Sequence, residues 1–459
     1  MPPLPFLRCC VAVTLCLLAS RVQAQAHELE PVLDATSFAP PALLSGPGFR
    51  VDPHVEIRGY MARFTLDTPV GVIHADSVEI LSDRVAELPA LEALDAVTHS
   101  AAFARAATDS AGSTASDLGQ VLFHPLDTLT GLPAGVARYL GRRLARFGDQ
   151  ARRLSDRAAI RLGTDGTKYP RGDGPMSDAA DVAREEAATA GSSRKKRWHQ
   201  RAADELEREL KRQAEFGKVR RNLARQLGID PYTRNPYIRE RLDRLAWAGA
   251  GGRLAANTAI ASIGGSGAVV LGHGRRLNEI VWTLDADNLR ERNHGRLRRH
   301  CSDELLMRQF LRRGVFTPSL QTALVDALDA LQPAAGGNAL LELAMTANSE
   351  FEARFVVNAL EMLAQALGKR ARGGRLLAVG AGLAYDSVDG ERVLPLPVDY
   401  LAWTGEVEEF LDRAEFRHAD KRVLIGGDAS LRSQRELTRR GWSIVVRTEA
   451  ADGARIAAN

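Results

Sequence analysis

Three places in the chain combine residue types and spacing that could do chemistry. Ser266 sits in Gly264-Gly265-Ser266-Gly267-Ala268, where neighbours without bulk would leave a hydroxyl open to a substrate, as nucleophilic catalysis requires. Gly426-Gly427-Asp428 lies between an apolar run and a helical pattern. Backbone amides at such a turn can hold an anion, and the helix dipole adds to the attraction, although the Asp428 carboxylate opposes it. The third place is basic. Arg142, Arg143, Arg146 and Arg153, with Arg138, Arg152 and Arg157, flank a stripe of Val136, Leu140, Leu144, Phe147, Ala151 and Leu154, the combination that lays a helix on an anionic surface. The ten histidines are scattered, and His294, His300 and Cys301 are the nearest grouping. No His-Glu-x-x-His or paired-cysteine spacing occurs, so neither a metal nor a cofactor is expected.

Each feature demands particular elements around it. The Ser266 segment resembles the Gly-x-Ser-x-Gly nucleophile elbow of α/β-hydrolases, with Ala268 in the last place. That resemblance implies a strand before the serine, a helix after it, and acid and histidine partners further along. Residues 258–263 suit an extended run, but Gly272 and Gly274 interrupt the helix. The same region, 255–272, carries no charge, which fits either burial at the centre of a helical domain or insertion into a membrane. Strand, turn and helix are expected around Gly426, because 423–425 is apolar and β-branched while 429–440 has helical spacing closed by Gly441.

The chain opens as an export signal does. Arg8 precedes an apolar run over 9–20, and small residues at Val22-Gln23-Ala24 and Ala24-Gln25-Ala26 offer cleavage after Ala24 or Ala26. The run is too short to span a bilayer, which takes roughly 20 apolar residues. Cys9, Cys10 and Cys16 would leave with it, so only Cys301 of the four cysteines stays. That rules out an intramolecular disulfide and predicts stability from packed cores, with Cys301 as a buried, inert thiol.

Beyond the signal at 1–26, a small α/β unit is expected over 27–120, with a hairpin turning at Asp67-Thr68-Pro69 and a helix capped by Ser77. The basic amphipathic segment covers 121–162. Gly, Asp, Ser and Thr dominate 163–198, which predicts a flexible linker. Helices follow over 199–370. Gly228 stops one and Asn235-Pro236 starts the next; Thr283 or Asp285, Ser302, Thr317 and Asn348 are the cap candidates for runs over 289–297, 305–311, 320–331 and 351–367. Over 371–459, strands at 376–379, 384–388, 392–396, 423–425 and 443–447 and helices after Thr404 and Ala429 predict an α/β domain, with Asp389-Gly390 as a hairpin turn. The fold class is therefore α+β, mostly α-helical: a central multi-helix domain flanked by a small N-terminal α/β unit and a small C-terminal α/β domain.

Formal charge is +4 over 459 residues, but acids prevail before residue 120 and bases over 136–162 and 194–225. Arginine and alanine abound while lysine is rare, the composition of a GC-rich bacterial genome. The expected function is that of an exported bacterial envelope protein, periplasmic or secreted, acting as a non-catalytic scaffold or binding protein. Its basic helix would face an anionic membrane surface or an envelope protein partner, and nucleic acid is not expected. Two alternatives stay open: a periplasmic hydrolase using Ser266, and a secreted membrane-active protein using 255–272.

Overall fold

The computed structural model describes residues 27–98, 215–250 and 279–447. Helix and sheet are both present. Near the N-terminus, β1 (Val32–Asp34) pairs antiparallel with β4 (His54–Arg58), and β2 (Ser45–Gly46) with β3 (Phe49–Val51). Strands β3 and β4 both pair with β5 (Met61–Thr68), opposite its second and first halves, so they are one strand interrupted at Asp52-Pro53. β6 (Gly71–Ala75) also pairs with β5. Along β5 the pattern alternates: Ala62, Phe64 and Leu66 are buried while Arg63, Thr65 and Asp67 keep exposed surface, the period of two that gives a sheet one wet face. The turn itself is Pro69-Val70, because Thr68 still pairs with Gly71, one residue later than the composition around Asp67 suggests.

A short helix, α1 (Pro41–Leu44), precedes β2, and α2 (Val78–Thr98) follows β6. Ser77 caps α2 as expected, its Oγ accepting from the Ile80 amide at 3.0 Å. Ile80, Leu81 and Val85 pack on Phe64, Leu66 and Ile73. Beyond Pro89, Ala90, Leu91, Leu94 and Val97 form a second buried surface. That surface meets α3, described over 215–227, and α4 (Pro236–Ala250). Gly228, at φ +67, ends α3; the Asn235 Oδ1 accepts from the Tyr237 amide at 3.1 Å and opens α4 at its proline. Phe216 stacks on Trp247 where the start of α3 meets the end of α4, with ring centroids 4.5 Å apart.

The remaining helices are α5 (Ile280–Thr283), α6 (Ala286–Leu297), α7 (Glu304–Arg312), α8 (Pro318–Leu331), α9 (Gly337–Ala344) and α10 (Glu350–Leu367). Asp285 and Thr317 cap α6 and α8. Two caps move by one residue. Asp303, not Ser302, caps α7, since its carboxylate reaches the Leu306 amide at 2.9 Å while the Ser302 amide donates to Asn338. Ser349, not Asn348, caps α10: its Oγ accepts from the Glu352 amide, and the Glu352 carboxylate returns to the Asn348 amide at 2.5 Å, a capping-box exchange shifted by one position.

The C-terminal sheet runs β13 (Ser443–Val445), β11 (Lys421–Ile425), β9 (Arg392–Leu396), β8 (Gly382–Asp386), β7 (Arg375–Val379). β7, β8 and β9 are antiparallel neighbours; β9, β11 and β13 are parallel. β10 (Tyr400–Leu401) and β12 (Asp428–Ala429) form a short parallel pair. Helix α11 (Gly405–Leu411) is capped by Thr404 and α12 (Leu431–Arg439) by Ser430. The expected helix start at Ala429 falls instead in β12.

Successive residues of these strands enter different cores. Leu424, Leu383 and Tyr385 share a cluster with Leu324 and Leu328 of α8 and Val357 and Leu360 of α10. Val423, Ile425 and Ala384 join Val407, Phe410, Leu437 and Trp442 on the other side. The sheet is thus buried on both faces, which explains why its strands read as continuous apolar runs. The β4–β5 hairpin turns on Gly59 and Tyr60, both with positive φ, and its tip enters the second cluster. There the Tyr60 hydroxyl and Thr404 Oγ1 lie 2.6 Å apart, and the Tyr60 carbonyl accepts from the Asp399 and Tyr400 amides.

Candidate functional site

A cavity of about 470 Å³ opens where α2, the loop after α3, α8 and α10 converge. Helical spacing places its lining: Asp83, Ala86 and Glu87 on α2; Ser319, Ala323, Asp326 and Ala330 on α8; Glu350, Arg354 and Glu361 on α10. The loop adds Ile229, Asp230, Tyr232 and Arg234. It is held in place by the Trp282 Nε1, which donates to the Ile229 carbonyl at 2.9 Å.

Most charges on this wall are committed to one another. Arg354 Nη1 donates to Glu79 and to Asp83, each at 2.7 Å, and its Nε to Glu350 at 3.0 Å. Arg84 Nη1 donates to Glu87 at 2.9 Å and its Nη2 lies 3.9 Å from Glu350. Glu87 also accepts from Thr233 and from Asn235 Nδ2. Asp326 accepts from Arg292 at 3.1 Å and from Arg296. Burial alone would lower the pKa of Arg354; the Asp83, Glu79 and Glu350 carboxylates outweigh it and keep the guanidinium charged. Together these pairs tie α2 to α10 beside the cavity.

Asp230 differs from its neighbours. Its Oδ1 accepts from Ser319 Oγ at 2.6 Å and from the Tyr232 amide at 2.8 Å. Among the described residues no cation pairs with it and its Oδ2 takes no hydrogen bond. Desolvation pushes its carboxyl up to about 6 despite those two donors.

The residues singled out in the sequence lie elsewhere. Gly426, Gly427 and Asp428 follow β11, but their amides donate to the carbonyls of Leu396, Val398 and Asp399 at 2.9, 2.7 and 3.0 Å. They close the turn instead of opening it to an anion, and Asp428 pairs with Arg447 at 2.7 Å. Gly427 is required there because a Cβ would fall 2.0 Å from the Asp399 carbonyl oxygen. His294 and His300 are held by Glu304 at 2.9 Å and Asp329 at 2.7 Å. Cys301 is buried, and desolvation pushes its thiol up to about 12, the inert state. Ser266, the 255–272 run and Arg142, Arg143, Arg146 and Arg153 lie outside the described residues.

Sequence reading passed over the cavity for identifiable reasons. The long-range partners of Arg84, Glu87 and Arg354 are invisible in a linear pattern, and residues 229–234 fall between the helix stop at Gly228 and the cap at Asn235. The available signal was the Asp230-Pro231 turn followed by Thr233 and Asn235, a polar cluster between two apolar helices. Among the described residues no group of three or more His, Cys, Asp or Glu side chains is arranged to hold a metal ion, and no helix is long and apolar enough to cross a membrane. The chain matches no protein-family model, and neither a curated protein nor a solved structure is similar to it.

Proposed function

We propose that this chain is an exported envelope protein, periplasmic or secreted, that binds a small molecule in the cavity between α2, α8 and α10 and does not transform it. One observation carries the reading: Asp83, Glu87, Asp326 and Glu350 are locked to arginines. Carboxylates so paired are fixed in place, which suits shaping and orienting a ligand. The layout proposed with it is a central multi-helix domain between a small N-terminal and a small C-terminal α/β unit, the arginine cluster joining the first two. Export rests on the pattern over 1–26. Docking on an anionic membrane surface or an envelope protein partner rests on the spacing of Arg142, Arg143, Arg146 and Arg153. Catalysis by Ser266 and membrane activity of 255–272 gain nothing from the geometry of the cavity.

The test is native mass spectrometry of the full chain recovered from the cell envelope, beside Ala323→Phe, which fills the cavity from α8. A small-molecule adduct on the natural protein that disappears in the variant supports the reading. An adduct retained by a folded Ala323→Phe, or turnover of a bound ester that depends on Ser266, overturns it. For the basic segment, neutralising Arg142, Arg143, Arg146 and Arg153 should abolish salt-sensitive sedimentation with anionic liposomes; unchanged sedimentation removes that part of the proposal.

A further inference from the structure

The cavity wall is unbalanced at one point. Asp83, Glu87, Asp326 and Glu350 each meet an arginine within hydrogen-bonding distance, so their negative charge is already answered. Asp230 lines the same cavity with two donors on Oδ1, none on Oδ2, and no ion-pair partner among the described residues. Asp230 is only partly buried and the Arg354 charge reaches it without an ion-pair contact; a carboxylate that lines a cavity with one oxygen unbonded gains from a cation delivered directly to it by a ligand. Desolvation raises its pKa against the pull of both donors and of the Arg354 charge. Between its charged side chains the wall carries small and apolar ones: Ile229 and Val281 on the loop side, Leu320, Ala323 and Ala327 on α8, Ala364 on α10. A hydrated metal ion would find no second unpaired carboxylate described beside Asp230, and a quaternary ammonium would find no aromatic cage, Tyr232 being the one aromatic side chain described on the wall. A primary ammonium needs only a carboxylate and a few acceptors, and its hydrocarbon chain suits those apolar side chains.

We propose that the cavity takes a small primary alkylamine, its ammonium donating to Asp230 Oδ2 and its chain lying against Ile229, Leu320, Ala323 and Ala327. This rests on the reading of the cavity as a ligand site and names its ligand class. Ser319 and the Tyr232 amide hold Oδ1, so the second oxygen is fixed in direction before the ligand arrives, which lowers the cost of binding.

The experiment is calorimetric titration of the full exported chain with n-hexylamine, 1-hexanol and hexanoate near neutral pH, on the natural protein, Asp230→Asn and Ala323→Phe. Asparagine keeps an acceptor for Ser319 and Tyr232, so its fold should hold; a melting curve verifies this. Saturable binding of hexylamine is expected, with hexanol at least about tenfold weaker and Asp230→Asn at least about tenfold weaker for the amine, the worth of one charged hydrogen bond. Equal affinity for amine and alcohol, or amine affinity unchanged in Asp230→Asn, overturns the amine proposal and leaves the cavity reading standing. Amine binding that survives in a folded Ala323→Phe lies outside the cavity and overturns both. No binding of any probe overturns the amine class, and the native mass measurement then decides the cavity reading separately.

Discussion

The Arg354 guanidinium gathers Glu79, Asp83 and Glu350, and it shows how a residue can be decisive in the fold yet ordinary in the sequence. Arg354→Met would remove the guanidinium that three crowded carboxylates share, so unfolding should become easier by about 3–5 kcal/mol, read from urea midpoints; a change within 0.5 kcal/mol, about the scatter of surface substitutions, would show that the pairs are idle. Asp399 offers a prediction in pH. Its Oδ2 accepts from the Ala62 and Val78 amides at 2.9 and 3.2 Å, and desolvation still lifts its carboxyl from 3.8 to about 7. The folded value exceeds the unfolded one. Its contribution is therefore complete below about pH 4 and is lost as pH rises through about 7. Asp230 acts in the same direction up to about pH 6. Asp399→Asn keeps an acceptor for both amides, so it should melt higher than the natural protein at pH 8, by on the order of 2 kcal/mol in stability. Equal melting at pH 8, or a natural protein that gains stability from pH 5 to 8 relative to the variant, contradicts the assignment. Asp399 carries no local signal, and of the three carboxylates around Arg354 only Glu350 is near it in sequence; the other partners lie more than two hundred residues away.

Elements were far more legible, since their signals are local. Ser77, Thr317 and Thr404 cap the helices they precede, and Asp389-Gly390 turns β8 into β9. The shifts at Ser302 and Asn348 have one cause: two capping residues stand side by side, and long-range contacts choose between them. Asn338 takes the Ser302 and Asp303 amides, leaving the Asp303 carboxylate to cap. Helix α9 escaped notice because it begins at Gly336-Gly337, a pair that reads as a loop. Those glycines are needed for close approach, since a Cβ at Gly337 would lie 2.1 Å from the His300 carbonyl oxygen. The same logic separates two substitutions. Gly427→Ala must displace the Asp399 carbonyl and should cost about 3 kcal/mol or more, whereas Gly390→Ala meets no atom within 4 Å and bears only its φ of +87, about 1 kcal/mol. Thermal melts of the two variants check this, and equal losses would refute the close-packing argument.

At the scale of the whole molecule, the expectation of both helices and sheets holds. How the pieces join could not be read in advance. The apolar strands after residue 375 serve two cores, one shared with α8 and α10 and the other with α11 and α12. Tyr60 at a hairpin tip and Arg354 on α10 tie in the N-terminal sheet and its helix. These junctions leave a cavity with fixed charges and, at Asp230, a carboxylate with no ion pair among the described residues, and the functional account turns on whether that space is a ligand site. The most direct measurement is a thermal-shift comparison of the natural protein with Ala323→Phe and Ala330→Phe across amines, alcohols, carboxylates and sugars. The account predicts that amines raise the melting temperature of the natural protein in a saturable way and leave both cavity-filled variants unmoved. Identical shifts in all three proteins, or no shift with any compound, would contradict it.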